Sequence, residues 1–262
     1  MRQSASRDRL VGVKLGGMFI AAAGLALSSA ASAAGDEPIC ADRPGKATPT
    51  CTVPAGMVQV ETGFVDWTDD ETDIGGAAMK VGVTDRLHLE LDLPAYVDVR
   101  NGPSGLGDSA LALKYRLTKS SAPVQVAVRP FVKVPTAKHS LGNGKVEGGI
   151  ALLADSTFGG SSIGWNVAPE LDLVADRDGS GYHLATAQAA SVGAPLSDRL
   201  TISGELWGAW DFDPAGTVRQ YSLDAAAAFL VSNNVQLDAG VNFGLNRNTP
   251  DVELYSGVAF RF

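Results

Sequence analysis

Three histidines are the first residues to weigh in this 262-residue chain, because a Ser, His and acid set can assemble from distant positions in a sequence. His88 lies in a run of alternating leucines, His139 stands next to Ser140 in a Gly-rich stretch, and His183 lies near the edge of another alternating run. Neighbours on a flexible loop are a poor arrangement for a held nucleophile and base. Abundant Ser and Asp also make some His-near-Ser pair inevitable, so a lipid hydrolase is the lesser reading and no catalytic residue is assigned. The acidic run Asp69-Asp70-Glu71-x-Asp73 offers the hard oxygens calcium takes, but it lacks EF-hand spacing and reads more simply as a solvated loop. No metal and no cofactor is expected. Cys40 and Cys51 are the only cysteines; two thiols without a nearby His are a poor zinc set, and a disulfide is expected between them.

The remaining candidates are charges at alternate positions: Glu90, Asp92, Lys114, Arg116, Arg129, Lys133, Glu170, Asp172, Glu205, Asp224 and Asp238. Alternation belongs to strands, whose successive side chains point to opposite faces. Leu87, Leu89, Leu91 and Leu93 are interleaved with His88, Glu90 and Asp92, and the pattern returns from Val235 to Leu245 and from Val252 to Phe262. Twelve such segments are expected, over 57–65, 74–83, 87–97, 108–117, 124–134, 145–155, 163–174, 182–192, 199–210, 219–230, 235–245 and 252–262. Most have the length a tilted strand needs to cross a bilayer, and short turns alternate with longer polar links. Phe64, Trp67, Tyr96, Trp165, Tyr182, Trp210, Phe212, Phe260 and Phe262 collect near strand ends, as interfacial girdles do. Pro130 and Pro169 fall inside expected strands, where a missing ladder donor predicts a bulge or a break.

The expected fold is therefore all-β: a transmembrane antiparallel up-and-down β-barrel of about twelve strands over 57–262, apolar faces toward outer-membrane lipid and polar faces lining a wet interior. In such a barrel strands four and five, with Lys114, Arg116, Arg129 and Lys133, lie across from strands ten and eleven, with Asp224 and Asp238. Two readings stay open: a basic wall facing an acidic one across a pore, or cross-strand ion pairs, such as Glu90 with Lys114 or Arg116, that neutralise a plugged interior.

Residues 1–33 carry Arg2, Arg7, Arg9 and Lys14, then an apolar core and Ala31-Ser32-Ala33, the organisation of a cleaved signal peptide. Its removal takes away four bases and one acid, moving the net charge from −8 to −11. An acidic chain with no Lys/Arg cluster is not a nucleic-acid binder. Residues 34–56 are expected to form a periplasmic amino-terminal segment, with the Cys40–Cys51 bridge on that side, tucked into the barrel mouth.

The last residues, Tyr255-x-Gly257-x-x-Phe260-x-Phe262, resemble the carboxy-terminal assembly signal of Gram-negative outer-membrane barrels, which implies the barrel-assembly machinery as a partner. Further stretches resemble the phenol-degradation meta-pathway family of outer-membrane proteins, often labelled transporters: Thr52 through Gly63, Gly105-Leu106-Gly107-Asp108 leading to Lys114-Tyr115, and Gln236 through Gly240 and Pro250-Asp251 to Phe262. The resemblance implies an outer-membrane barrel associated with small, often aromatic, compounds, and carries over no binding residue. A channel for a small-molecule solute is the leading expectation; the alternatives are a plugged structural or sensing barrel and, behind it, an outer-membrane lipid hydrolase.

Overall fold

The structure, a computed structural model, describes residues 37–138, 140–159 and 161–262; the expected signal segment and His139 lie outside the described residues. Among the described residues there are fifteen strands and no helix: β1 (Val58–Thr68), β2 (Glu71–Ile74), β3 (Ala77–Thr84), β4 (Leu87–Leu93), β5 (Tyr96–Val99), β6 (Ser104–Leu106), β7 (Ser109–Arg116), β8 (Gln125–Val134), β9 (Glu147–Thr157), β10 (Gly164–Ala175), β11 (Tyr182–Pro195), β12 (Leu200–Asp211), β13 (Val218–Ser232), β14 (Val235–Gly244) and β15 (Val252–Arg261). Twelve of them, β1, β3, β4 and β7 through β15, pair antiparallel in chain order, and β15 pairs back onto β1 from Gln59↔Arg261 to Thr68↔Glu253. The sheet therefore closes with no free edge among the spanning strands, as a lipid-exposed sheet requires.

The three additional strands are outer continuations of barrel strands. On β1, Thr62 faces Ala77 of β3 and Val65 faces Ile74 of β2, so β2 and β3 form one strand interrupted at Gly75-Gly76. Both glycines hold positive φ (78° and 114°), which a residue with a Cβ rarely adopts. In the same way β5 prolongs β4 past Pro94, and β6 leads into β7 past Gly107. The sequence reading left 66–73 and most of 98–107 as loops. Beyond the bilayer both sides of a sheet are wet, so no alternation of polarity is needed to specify a strand there.

The expected prolines interrupt ladders rather than strands. β8 is continuous through Pro130, but the β7–β8 ladder skips from Ala112↔Phe131 to Tyr115↔Val128. β10 is continuous through Pro169, while the β9–β10 ladder skips from Val167↔Ala154 to Glu170↔Ala151. Each proline still pairs on its other side, so the missing donor opens one seam only.

Alternation sorts the side chains as a barrel demands. Leu89, Leu111, Leu152, Leu206 and Leu237 are exposed on the outside, while Glu90, Lys114, Leu153, Glu205 and Asp238 are buried within. Exposed or half-exposed rings ring the outer face at both ends: Tyr115, Phe158, Trp165 and Phe262 at the end of the short β3–β4 and β13–β14 turns, and Trp67, Tyr96, Tyr182, Trp210 and Phe212 at the end of the longer loops. Two contacts order these girdles, Trp210 edge-on to Tyr221 at 5.5 Å and Phe260 stacked on Phe262 at 6.0 Å. The two ends are called the turn end and the loop end below.

Candidate functional site

The lumen carries the charge, and residues 37–56 occupy its turn-end half. The chain enters beside the last turn, where Ile39 N–H donates to the Asn233 carbonyl (2.7 Å) and Arg261 Nη2 to the Glu37 carbonyl (2.8 Å). It then folds back on itself through the Cys40–Cys51 disulfide, which is present as expected. Between the cysteines, Asp42, Arg43 and Lys46 each meet an opposite charge on the wall. Asp42 takes Lys80 (2.8 Å) and Lys114; Arg43 chelates Asp238 through Nε and Nη2 (3.1 and 2.8 Å); Lys46 Nζ reaches Asp224 Oδ2 (2.8 Å) and lies 5.5 Å from the Trp207 ring. Glu205 accepts the N–H groups of Lys46 and Ala47 (2.8 and 2.7 Å), Asp155 that of Thr50 (2.7 Å), and His88 Nδ1 that of Val53 (3.1 Å). Backbone donors that have no ladder inside a barrel are thus satisfied by lumen side chains.

Glycines in the wall make the seats. A Cβ at Gly257 would stand 2.6 Å from Arg43 Cζ and Nε, and one at Gly82 would stand 1.9 Å from the Pro54 carbonyl oxygen. Gly257, singled out above for the terminal motif, is therefore also where the Arg43 guanidinium lies against the barrel. In the same motif Tyr255 covers Gly240, whose Cβ would fall 2.2 Å from the tyrosine oxygen.

Asp42 is the pivot of the electrostatics. Burial pushes its carboxyl up, and the ammonium groups of Lys114 and Lys80 more than offset this, bringing it from 3.8 to about 2. Lys80 also bonds Glu61, whose carboxylate in turn accepts the Asp42 and Arg43 N–H groups (3.0 and 3.2 Å).

Toward the loop end the pairing runs from wall to wall. Arg129 bonds Glu90 (2.7 Å) and Asp92 (3.2 Å), and Lys133 bonds Asp108 and Glu147, both at 2.8 Å. Glu170 and Asp172 are half-buried on β10, and half-buried Arg116 sits at the turn-end mouth, donating to the Asp85 carbonyl (2.8 Å). The expected direct opposition of Lys114, Arg116, Arg129 and Lys133 to Asp224 and Asp238 does not occur. Instead, Arg129 and Lys133 are taken by near neighbours, and the inserted segment answers each wall with the opposite sign: Asp42 toward Lys80 and Lys114, Arg43 and Lys46 toward Asp238 and Asp224. The pairing suggested for Glu90 with Lys114 or Arg116 is replaced by Glu90 with Arg129, two strands away. Lys80, Glu61, Asp42, Arg43 and Lys46 were not anticipated. A signal existed for the last three: acid, base and base within one short cystine loop.

Not all of the interior is paired. Asn166 Oδ1, Asp172 Oδ1, Ser222 Oγ, Asp224 Oδ1 and Asn242 Oδ1 are buried and have no hydrogen-bond partner among the described residues. One stretch of wall is apolar, formed by Ala127, Ala151, Leu153, Ala168 and Ala189 with Trp207 beside them, and Ala47 of the inserted segment rests on it.

Closure, girdles, an inward polar face and an outward apolar one define a transmembrane β-barrel of the outer-membrane kind, here with its own amino-terminal segment inside the lumen. The chain belongs to the family described as "Putative MetA-pathway of phenol degradation", whose model matches residues 41–262. Among solved structures it is similar to an outer membrane channel from Pseudomonas putida F1, with 15% identity and a TM-score of 0.64 over 84% of this chain and 99% of that one. The translocator domain of the autotransporter NalP from Neisseria meningitidis is more distant, with 11% identity and a TM-score of 0.46 over 80% and 90% of the two chains. No curated protein matches the chain.

Proposed function

We propose that this protein is an outer-membrane channel that passes small solutes by diffusion through a charged lumen narrowed by its own amino-terminal segment. The observation that carries this reading is the set of buried, unpartnered acceptors Asn166, Asp172, Ser222, Asp224 and Asn242. In a dry, filled interior each would cost about 1–3 kcal/mol, whereas in a wet passage water satisfies them. The short turns mark the periplasmic mouth, so residues 34–56 of the exported chain lie on that side once the signal peptide is cleaved.

The passage runs between unlike surfaces. Arg129, Lys133, Glu170, Asp172 and Asp224 give it polar groups, and the Ala127, Ala151, Leu153, Ala168 and Trp207 wall gives an aromatic ring a place to lie. A small solute with one polar edge suits both, in keeping with a family described by phenol degradation. The chain is read as a non-enzyme that assembles through the barrel-assembly machinery. The imidazoles of His88 and His183 are engaged with Val53 N–H and with aspartates, leaving neither to activate a serine.

Single-channel recording in a planar bilayer tests the reading. The native protein should give a small conductance, and Arg43→Ser combined with Lys46→Ser, which unpins the segment from Asp238 and Asp224, should enlarge it. Absence of conductance and of solute uptake in both would leave a structural barrel.

A further inference from the structure

At the loop end, outside the lumen contacts described above, the β10–β11 loop (176–181) and the β12–β13 loop (212–217) bring three aspartates around His183. His183 Nε2 lies 2.8 Å from Asp211 Oδ1, and its Nδ1 lies 2.8 Å from Asp176 Oδ1 and 3.8 Å from Asp213 Oδ2. The imidazole, Asp211 and Asp213 are buried, and Asp176 is partly so. Among the described residues, Asp176, His183 and Asp213 are the one set of three whose ligand atoms all lie within 4.8 Å of one another.

The hydrogen-bond accounting leaves one position to fill. Asp211 can only accept from Nε2–H, which fixes the neutral ring as the Nε2–H tautomer and turns the Nδ1 lone pair toward Asp176 and Asp213. Two electron-pair donors 2.8 Å apart repel unless something positive stands between them. A carboxylate behind the far ring nitrogen is the arrangement that orients metal-binding histidines and raises their basicity. Ligands about 2.0–2.2 Å from a tetrahedral metal stand roughly 3.4 Å apart, and the observed 2.8 and 3.8 Å bracket that separation. Asp213 is itself held in place: its Oδ1 accepts Ala215 N–H (2.7 Å) and its Oδ2 accepts Arg177 N–H (2.9 Å). Arg177 is the one cation nearby. Its Nε is 3.8 Å from Asp213, and its Nη2 is spent on the Gly216 carbonyl (3.2 Å), so three acids remain against a single distant base.

We propose that Asp176, His183 and Asp213 form a site for one borderline divalent metal ion of the zinc type, with Asp211 as the positioning residue and the fourth coordination position left to water. One imidazole with two carboxylates suits zinc, nickel or copper better than the all-oxygen sets of calcium and magnesium. The ion would reach the site beneath the exposed loop residues Asp178, Gly179 and Ser180, and once bound it would staple two loops together at the mouth.

The test is titration of chelator-stripped, detergent-folded protein with Zn2+ by calorimetry, and with Co2+ by visible absorption. One ion per chain and a d–d band of a low-coordinate site are expected. His183→Ala should abolish both, and Asp211→Asn should weaken binding about 10–100-fold while leaving the stoichiometry at one. If His183→Ala does not give the heat-modifiable gel migration of a folded barrel, Asp176→Asn replaces it with the same expected loss. Zn2+ binding to the native protein no tighter than to these variants would mean that a proton alone fills the position, and would overturn the proposal.

Discussion

A single methyl group gives the sharpest prediction at the scale of the residue. Gly257→Ala places a Cβ against the Arg43 guanidinium, with no comparable obstruction to the β14–β15 ladder, so the barrel should assemble while the Arg43–Asp238 chelate is displaced. Single-channel conductance should rise, and the heat-modifiable gel shift should stay. Loss of the folded band would mean that the glycine serves assembly alone. Asp42 supplies a second prediction, with its sign fixed by linkage. Its carboxyl is lowered in the folded protein, so its contribution to seating the segment is complete above about pH 4 and fades as the pH falls toward 2. Conductance of the native channel should therefore increase over that acidic range. Asp42→Asn should start from the larger value and lose this part of the dependence.

Strands, at the scale of the element, respond according to which face is changed. Leu89 and Leu237 face outward, and an arginine near the bilayer midplane should cost about 2–4 kcal/mol in reversible unfolding from lipid. Asn242 faces inward beside Asp224, and Asn242→Arg should cost far less because the new charge meets water and a carboxylate. Equal penalties at the two kinds of position would contradict the inside–outside assignment. The same alternation made the spanning strands readable in the sequence, since lipid on one side and water on the other impose a period of two. It also explains why β2, β5 and β6 were not read: past the bilayer that contrast disappears, and only Gly75-Gly76, Pro94 and Gly107 punctuate the continuation.

Over the whole molecule, the cystine loop and the barrel act as one unit. A bridge across a loop this short restricts the free segment by roughly 3 kcal/mol in the chain-entropy model, which favours the docked form over a loose one. Reduction, or paired Cys40→Ser and Cys51→Ser replacement, should leave the barrel folded and raise the open fraction in single-channel records. An unchanged record would show that the contacts with Glu205, Asp224 and Asp238 suffice to hold the segment. The lumen residues thus have two uses, lining a passage and gripping the segment that narrows it, and Asp224 belongs to both through its two carboxylate oxygens.

The sequence by itself determined the barrel, its spanning strands, the inward set of charges and the cystine, because each follows from local pattern: alternation, turn chemistry, and two thiols in an exported chain. Which charge meets which was decided only by the tertiary structure. Alternation says that Arg129 and Asp238 point inward, but the partner of each depends on shear, on side-chain reach and on what else enters the lumen. Residues 37–56 have no period to reveal that they lie inside, and their place is fixed by wall glycines and carboxylates brought together from β1, β3, β12, β13, β14 and β15. The cluster at His183 has the same origin, since Asp176 and Asp213 come from separate loops and become neighbours only when β11 and β12 pair in register.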